Sequence, residues 1–388
     1  MRILIVHNQL WAHYKSVLFQ EIYKELTSQY TTSSLLVAQI ALHEKSREGM
    51  VRKGEKMDYQ YPYKVLFNRS LDSVGALERT VALFREYNAF KPDVVNITGY
   101  FDIAQVVLMF FAKANGKKVI ISSESSEVDR KRSIPKEFLK KCILGAADAF
   151  FCFGSSTVAY LTSLGIAAEK IVVTKAAVVD NDEIANQFQA ARNQLSSQTF
   201  RNFIFVGRLA PEKNLVTLLS AFKRCQESEN RYPQWGLILV GEGPEKSSLE
   251  EFIHRNKIAN VKFVGGVSWK EVPNWLAQGT VLVLPSFSEP WGLVVNEAMV
   301  CGMPVIVSNK CGCAPDLIEE NGNGFLIEPT NVLSLTKAMG YYMDKPDAIQ
   351  KHGDRSREII REFSPKTVAN EMVKAFSQLA ELKVDENT

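Results

Sequence analysis

Long apolar runs are scarce in this sequence. The longest, Val106 to Ala112, falls far short of the roughly 20 residues that a membrane-spanning helix requires. At the amino terminus Ile3-Leu4-Ile5-Val6 reads as a buried strand, too short for the apolar region of a secretory signal. Paired cysteine spacings are also missing. Cys142, Cys152, Cys225, Cys301, Cys311 and Cys313 make no zinc-like pattern, and Cys311-x-Cys313 lacks the two-residue spacer of redox and ribbon motifs. They read as reduced thiols of a cytoplasmic protein that is soluble or at most rests on the inner face of a membrane. There is no marked excess of charge: 46 basic against 43 acidic residues leave a net of +3, which argues against a nucleic-acid partner for the chain as a whole. Finally, no glycine-rich turn follows the first strand. His7-Asn8-Gln9-Leu10-Trp11 stands there, and Gly241-Glu242-Gly243-Pro244 has no third glycine, so a nicotinamide-dependent enzyme is disfavoured.

What is present is an alternation of short apolar strands with helix-period segments over 388 residues, enough for two domains. The strands Arg2–Val6, Val94–Ile97 and Lys118–Ser122 alternate with helical segments such as Tyr14–Leu26 and Phe101–Ala114. A second series contains Phe203–Val206, Gly236–Val240, Val261–Val264, Val281–Leu284 and Pro304–Ser308. The pattern predicts an α/β fold of two doubly wound parallel sheets. The expected boundaries are a first domain over 1–178, a polar Asn/Gln/Ser-rich linker over 179–202 and a second domain over 203–363. A last helix over 364–388 begins at Ser364-Pro365, a sound N-cap with proline at the first helical position.

Three segments of the second half carry chemistry. After the strand Val281–Leu284, Glu289 lies on a turn and Glu297 about one turn into the following helix, with Pro290, Trp291, Gly292 and Leu293 between them. Open α/β sheets place ligands at the carboxyl ends of their strands, and two carboxylates there would accept hydrogen bonds from several hydroxyls. An acidic first turn that favours the helix dipole accounts for them equally well in isolation. In Val206-Gly207-Arg208-Leu209-Ala210-Pro211-Glu212-Lys213, Arg208 and Lys213 suit a phosphate or diphosphate, although an ordinary surface Arg–Glu pair explains the segment alone. Gly241 and Gly243 permit close backbone approach or a sharp turn.

Together and in this order, these segments resemble the donor site of the retaining, nucleotide-sugar-dependent glycosyltransferases of family 4, which have the GT-B fold. Phe263-Val264-Gly265, Gly302-Met303-Pro304-Val305-Ile306 and Asn323-Gly324-Phe325 complete the resemblance, which covers most of residues 203–330. It implies two Rossmann-like domains facing a cleft, with the C-terminal helix crossing back to brace the first. Arg208 and Lys213 would hold the donor diphosphate and stabilise the leaving group. Glu289, with backbone N–H groups of Trp291 to Leu293, would hold the transferred sugar, and Glu297 the ribose. Gly207, Gly241, Gly243, Pro290 and Gly292 would shape the donor site, and Val264 and Gly265 would face the base. The donor, a UDP- or GDP-linked sugar, is then a substrate, and neither a cofactor nor a metal is implied. The spacing Asp180-Asn181-Asp182 copies the metal motif of another glycosyltransferase fold but reads here as a hinge or loop cap.

The first domain would bind the acceptor: a carbohydrate, a lipid-linked glycan or a small molecule. Many relatives place a histidine after a middle strand, where this chain has Ser123-Glu124-Ser125-Ser126-Glu127. Glu124 could take the histidine's place or receive the acceptor proton; with Glu127 it could also be a plain helix cap. Asn8 and His13, after the first strand, are the other acceptor-side candidates. A basic amphipathic stretch, Arg130 to Lys141, would suit an anionic membrane surface or simply a solvated face. The rivals are a nucleotide-sugar 2-epimerase of the same fold and a non-catalytic sugar-nucleotide binder.

Overall fold

The computed structural model describes residues 1–45, 59–124, 134–195, 201–228 and 234–385, with backbone alone for 134–138 and 382–385. The chain divides into two compact units, Met1–Val178 with Glu362–Thr388, and Val179–Arg361.

In the first unit the order is β1 (Arg2–Gln9), α1 (His13–Gln29), β2 (Ser34–His43), β3 (Tyr63–Ser70), α2 (Ala76–Phe90), β4 (Val94–Ile97), α3 (Ile103–Ala114), β5 (Lys118–Ser123), α4 (Ile134–Gly145), β6 (Ala149–Cys152), α5 (Ser155–Ser163) and β7 (Ile171–Val173). The strands form one parallel sheet in the order β3-β2-β1-β4-β5-β6-β7. Helices cover it, so Ile3-Leu4-Ile5-Val6 is buried on both faces, which is why the strand reads as a continuous apolar run.

The second unit opens with α6 (Asn181–Gln194) and continues with β8 (Asn202–Val206), α7 (Leu215–Gln226), β9 (Gly236–Val240), α8 (Lys246–Arg255), β10 (Val261–Gly265), α9 (Val272–Leu276), β11 (Val281–Leu284), α10 (Leu293–Val300), β12 (Val305–Ser308), α11 (Ala314–Leu317), β13 (Gly324–Ile327), α12 (Val332–Asp344) and α13 (Pro346–Ile360). Its parallel sheet runs β10-β9-β8-β11-β12-β13. The final helix, α14 (Pro365–Asp385), belongs to the first unit and packs on α1, and its Phe376 meets Phe151 of β6 edge-on at 5.4 Å.

The expected linker over 179–202 is corrected here. Residues 181–194 are helical and pack on α9 and α10 within the second unit. Asp180 caps the helix by accepting from the Glu183 amide at 3.2 Å, and Ile184 and Phe188, four residues apart, are its buried anchors. A partly helical linker was compatible with the sequence, but two apolar anchors in a Gln/Asn-rich run give too weak a period to assign the segment to the second unit.

Both sheets reverse strand order beside their first strand, between β1 and β4 and between β8 and β11. Such switch points open a crevice at the carboxyl ends of the two strands, where ligands bind in open α/β sheets. The loop bearing Arg208 and Lys213 follows β8, and the loop bearing Glu289 follows β11.

Candidate functional site

At the β8/β11 switch point, Lys213 and Glu289 form an ion pair through Nζ and Oε2, with both side chains about six-sevenths buried (15% and 16% exposed). The two loops are fastened by backbone as well: the Phe287 amide donates to the Glu212 carbonyl at 2.8 Å. Asn214, buried and with φ of 58°, spends both amide hydrogens on this junction, donating to the carbonyls of Pro285 at 3.0 Å and Pro329 at 2.7 Å. Asparagine tolerates the left-handed conformation better than most side chains, so one residue sets the chain's exit into α7 and the spacing of three loops. Arg208 lies nearer solvent, 65% exposed, and pairs with Glu212.

The glycines have a steric cause. A Cβ on Gly241 would lie 1.9 Å from the Gly207 carbonyl oxygen, and one on Gly243 would lie 2.2 Å from that of Leu209. The loop after β8 crosses directly over the loop after β9, held by Leu209 N–H to Glu242 O at 2.9 Å and Glu245 N–H to Leu209 O at 3.0 Å. Gly265, with φ of 92°, accepts from the Gly241 amide at 2.9 Å, and Val264 beside it is half-buried. A third crossing fixes Glu289: its carbonyl accepts from the Gly312 amide at 2.9 Å, and a Cβ on Gly312 would stand 1.8 Å from the Pro290 oxygen.

Pro290 leads to Trp291, whose buried indole donates to Asn296 Oδ1 at 2.8 Å. Gly292, at φ of 99°, is the left-handed residue from which α10 starts, and the first amides of a helix, from Leu293 on, have no intrahelical acceptor. One turn later Glu297 is half-buried. Burial pushes its carboxyl up to about 7, and no described side chain donates to it. Ser286, fully buried at the end of β11, also has an unpartnered hydroxyl. A cation, an ion-paired carboxylate and a second carboxylate without a donor thus follow the strands that meet at one switch point, an arrangement able to take an anion and several hydroxyls.

Residues 187–363 match the family described as glycosyl transferases group 1. The second unit carries a glycosyl transferases group 1 domain. Among curated proteins the chain is 30% identical over 193 residues to a glycogen synthase of Mycobacterium tuberculosis, covering 48% of this chain and 45% of that one. It is 25% identical over 178 residues to an uncharacterized glycosyltransferase of Methanocaldococcus jannaschii, covering 46% and 48%. The chain spans about half the length of these curated relatives. Among solved structures, Anabaena HepE in complex with UDP superposes with a TM-score of 0.74 at 19% identity, covering 97% of this chain and 100% of that one. The fold is the GT-B fold of glycosyltransferases, two Rossmann-like parallel-sheet domains.

In the first unit the acceptor-side candidates lie apart from one another in their contacts. Asn8, at the β1/β4 switch point, accepts from Gln105 Nε2 at 2.6 Å. His13 opens α1 and meets Tyr59 Oη through Nδ1 at 3.1 Å. Glu124 ends β5 and pairs with Lys15 at 2.8 Å; the lysine side chain is 4% exposed and the glutamate 40%. Glu127 and Arg130 to Arg132 fall outside the described residues.

Sequence reasoning missed Lys15. The ammonium is 4.4 Å from the centre of the Phe153 ring, and His7 beside it is buried with Nδ1 2.9 Å from the Gln9 carbonyl and 3.0 Å from Gln39 Oε1. Burial, with Lys15 nearby, lowers the His7 pKa to about 4, so the ring is neutral at pH 7. A lysine in the buried stripe of an amphipathic helix was the available signal, since Lys is almost never buried unpaired. Among the described residues no His/Cys/Asp/Glu cluster could hold a metal ion, and no helix is long and apolar enough to cross a membrane.

Proposed function

We propose that the protein is a retaining, metal-independent glycosyltransferase of family 4. It would move a hexose from a UDP- or GDP-linked sugar to an acceptor hydroxyl of a glycan, a lipid-linked glycan or a small molecule. The observation that carries this reading is the Lys213–Glu289 ion pair at the β8/β11 switch point. Donor entry exchanges partners in this pair: the Lys213 ammonium passes to the diphosphate, joined by the exposed Arg208, and Glu289 turns to the hydroxyls of the sugar. Breaking the glycosyl–phosphate bond builds negative charge on the diphosphate and positive charge on the sugar. Cations already fixed beside the phosphate lower that barrier without reorganisation. Glu297 takes the ribose hydroxyls in its ionised form, and the α10 amides at Gly292 and Leu293 face the sugar. HepE, solved with UDP-glucose and with UDP and glucose, supports a donor of this class. On the acceptor side, the ion pair with Lys15 orients Glu124 to accept a proton or a hydrogen bond. The free thiols, with only Cys142 exposed, support a cytoplasmic setting.

The test is a thermal-shift panel of nucleoside diphosphates and their sugars without added metal, followed by nucleotide release with candidate acceptors. One nucleotide should raise the melting temperature by mass action in wild type and not in Lys213→Ala. No shift with any nucleotide would refute the reading. Binding without release of nucleotide would leave a non-catalytic binder, and inversion at C2 of the sugar would make the protein an epimerase.

A further inference from the structure

Helix α6 carries two stripes side by side. Ile184, Phe188 and Arg192 recur every fourth residue and pin it to the second unit: the first two are buried, and the Arg192 guanidinium donates to the carbonyls of Ala277 and Gly279. On the adjoining stripe Gln187, Ala190, Ala191 and Gln194 follow the spacing of one helix face, and they line an open cleft of about 540 Å³. The facing wall is Lys270, Asn274 and Gln278, from α9 and the turns that flank it. The cleft lies away from the Lys213–Glu289 site. Its Gln278 end is tied to the start of β8, since Asn202 Nδ2 donates to the Gln278 carbonyl at 2.9 Å, whereas the loop bearing Lys213 leaves the far end of that strand. The five residues of β8 set roughly 16 Å between the two.

We propose that the α6–α9 cleft binds a neutral oligosaccharide, apart from the reaction centre. The side chains decide the ligand. Primary amides donate and accept at once, as sugar hydroxyls do. Among the described residues no carboxylate lines the cleft and Lys270 is its one cation, so neither a cation nor a polyanion is matched. An apolar ligand would cover the amides of Gln187, Gln194, Asn274 and Gln278 without pairing them; hydroxyls pair with them. The flip of Gln187 is fixed, because its Nε2 donates to the Glu183 carboxylate, and this leaves Oε1 buried with no donor among the described residues. A ligand hydroxyl supplies one. Ala190 and Ala191, between the two glutamines of α6, project no more than a methyl group and leave room for the face of a sugar ring. The volume is that of a small-ligand cleft. Where the acceptor of the proposed reaction is a glycan, a chain gripped here stays with the enzyme at high effective concentration. The cleft itself is independent of the reaction at the β8/β11 site.

Fluorescence anisotropy of labelled maltohexaose, cellohexaose, laminarihexaose and a heparin hexasaccharide, titrated with the full chain in the absence of nucleotide, tests the proposal. At least one neutral hexasaccharide should bind, equally well at low and high salt because no charges pair. The double substitution Gln194→Ala with Asn274→Ala changes two exposed side chains and should weaken binding about tenfold, the worth of two hydrogen bonds. Ala190→Leu, which fills the space between the glutamines, should weaken it to a similar extent. Unchanged melting temperatures would establish that the variants fold. Binding of no neutral hexasaccharide would overturn the proposal. So would full binding by the double variant, since the glycan would then lie elsewhere. Tighter, salt-sensitive binding of the heparin fragment, lost in Lys270→Gln, would overturn it in favour of an anionic ligand. None of these outcomes requires a nucleotide to bind.

Discussion

In the second unit Lys213 and Glu289 meet across two loops that are themselves locked backbone to backbone. In the first, Lys15 lies inside the unit against the Phe153 ring and pairs with Glu124 at its edge. Both are lysine–glutamate pairs beyond the carboxyl ends of parallel strands, and they are built for different work. The Lys213 pair is held by loop geometry, with its two side chains almost equally exposed, at 15% and 16%. In the Lys15 pair the cation is committed and the carboxylate is presented. On the proposed reading, a site that exchanges partners spends its sequence on glycines and turns, and one that only orients a group spends it on burial.

The sharpest break in this comparison is Lys213→Ala. If the pair is exchanged for a diphosphate, turnover of the folded variant should fall roughly 100- to 1,000-fold, as for other groups that stabilise charge in the transition state, beyond the lowered melting temperature expected from leaving the largely buried Glu289 without its cation. A steady-state assay of nucleotide release measures the first and calorimetry the second. Loss of fold with loss of turnover would make the pair a structural bridge like that of Lys15.

Gly312→Ala attacks the loop locking instead of the charge. Its new Cβ would stand 1.8 Å from the Pro290 oxygen, so the loop must move, at a cost on the order of 3 kcal/mol. Because the Gly312 amide also holds the Glu289 carbonyl, the nucleotide-induced thermal shift should shrink along with the urea midpoint. A variant of wild-type stability would show that the loops have slack.

The fold of both halves was legible in the alternation of strands and helices, and these crossings explain why the loops of the second also carry a readable pattern while the buried cluster of the first does not. Gly241, Gly243 and Gly312 are demanded by backbone passing over backbone, so no other residue type fits, and the motif survives as letters in the chain. Glu289 and Glu297 are anchored to those letters by the turn at Gly292. In the first unit Lys15, His7 and Gln39 come from three separate elements and meet only through strand pairing, with His7 opposite Gln39 in the β1–β2 register. No local pattern announces such a cluster. That helix α6 belongs to the second unit was hidden for a related reason: its burial rests on Ile184 and Phe188 alone, and its cap, Asp180, is one of several acids in a polar stretch.

Glu124→Gln probes the committed cation. Removing the charge leaves Lys15 buried without its acid. Such a change costs several kcal/mol when both partners are inside, and about 1–2 kcal/mol here because Glu124 is partly in solvent. Lys15→Met, which removes the buried cation and fills its space, should cost less than Glu124→Gln in chemical denaturation. The reverse order would mean that Lys15 contributes chiefly through its contact with Phe153.

The smallest effect separates the units by sign. His7 has a folded pKa of about 4 against an ordinary 6.5, so acidification protonates the unfolded chain first, and this group's contribution to stability is lost as the pH falls from 6.5 toward 4. Glu297 is raised from 4.5 to about 7, so the folded state binds the proton first and stability rises as the pH falls from 7 toward 4.5. Melting temperature followed from pH 7 to pH 5 should therefore fall less steeply in His7→Gln than in wild type, and more steeply in Glu297→Gln. Ligand sharpens the contrast. A ribose that donates hydrogen bonds to ionised Glu297 would expel its proton, so nucleotide affinity should rise with pH through 7 in wild type and stay flat in Glu297→Gln. Slopes displaced in the same direction by both substitutions would mean that the two groups do not titrate in the environments their burial implies.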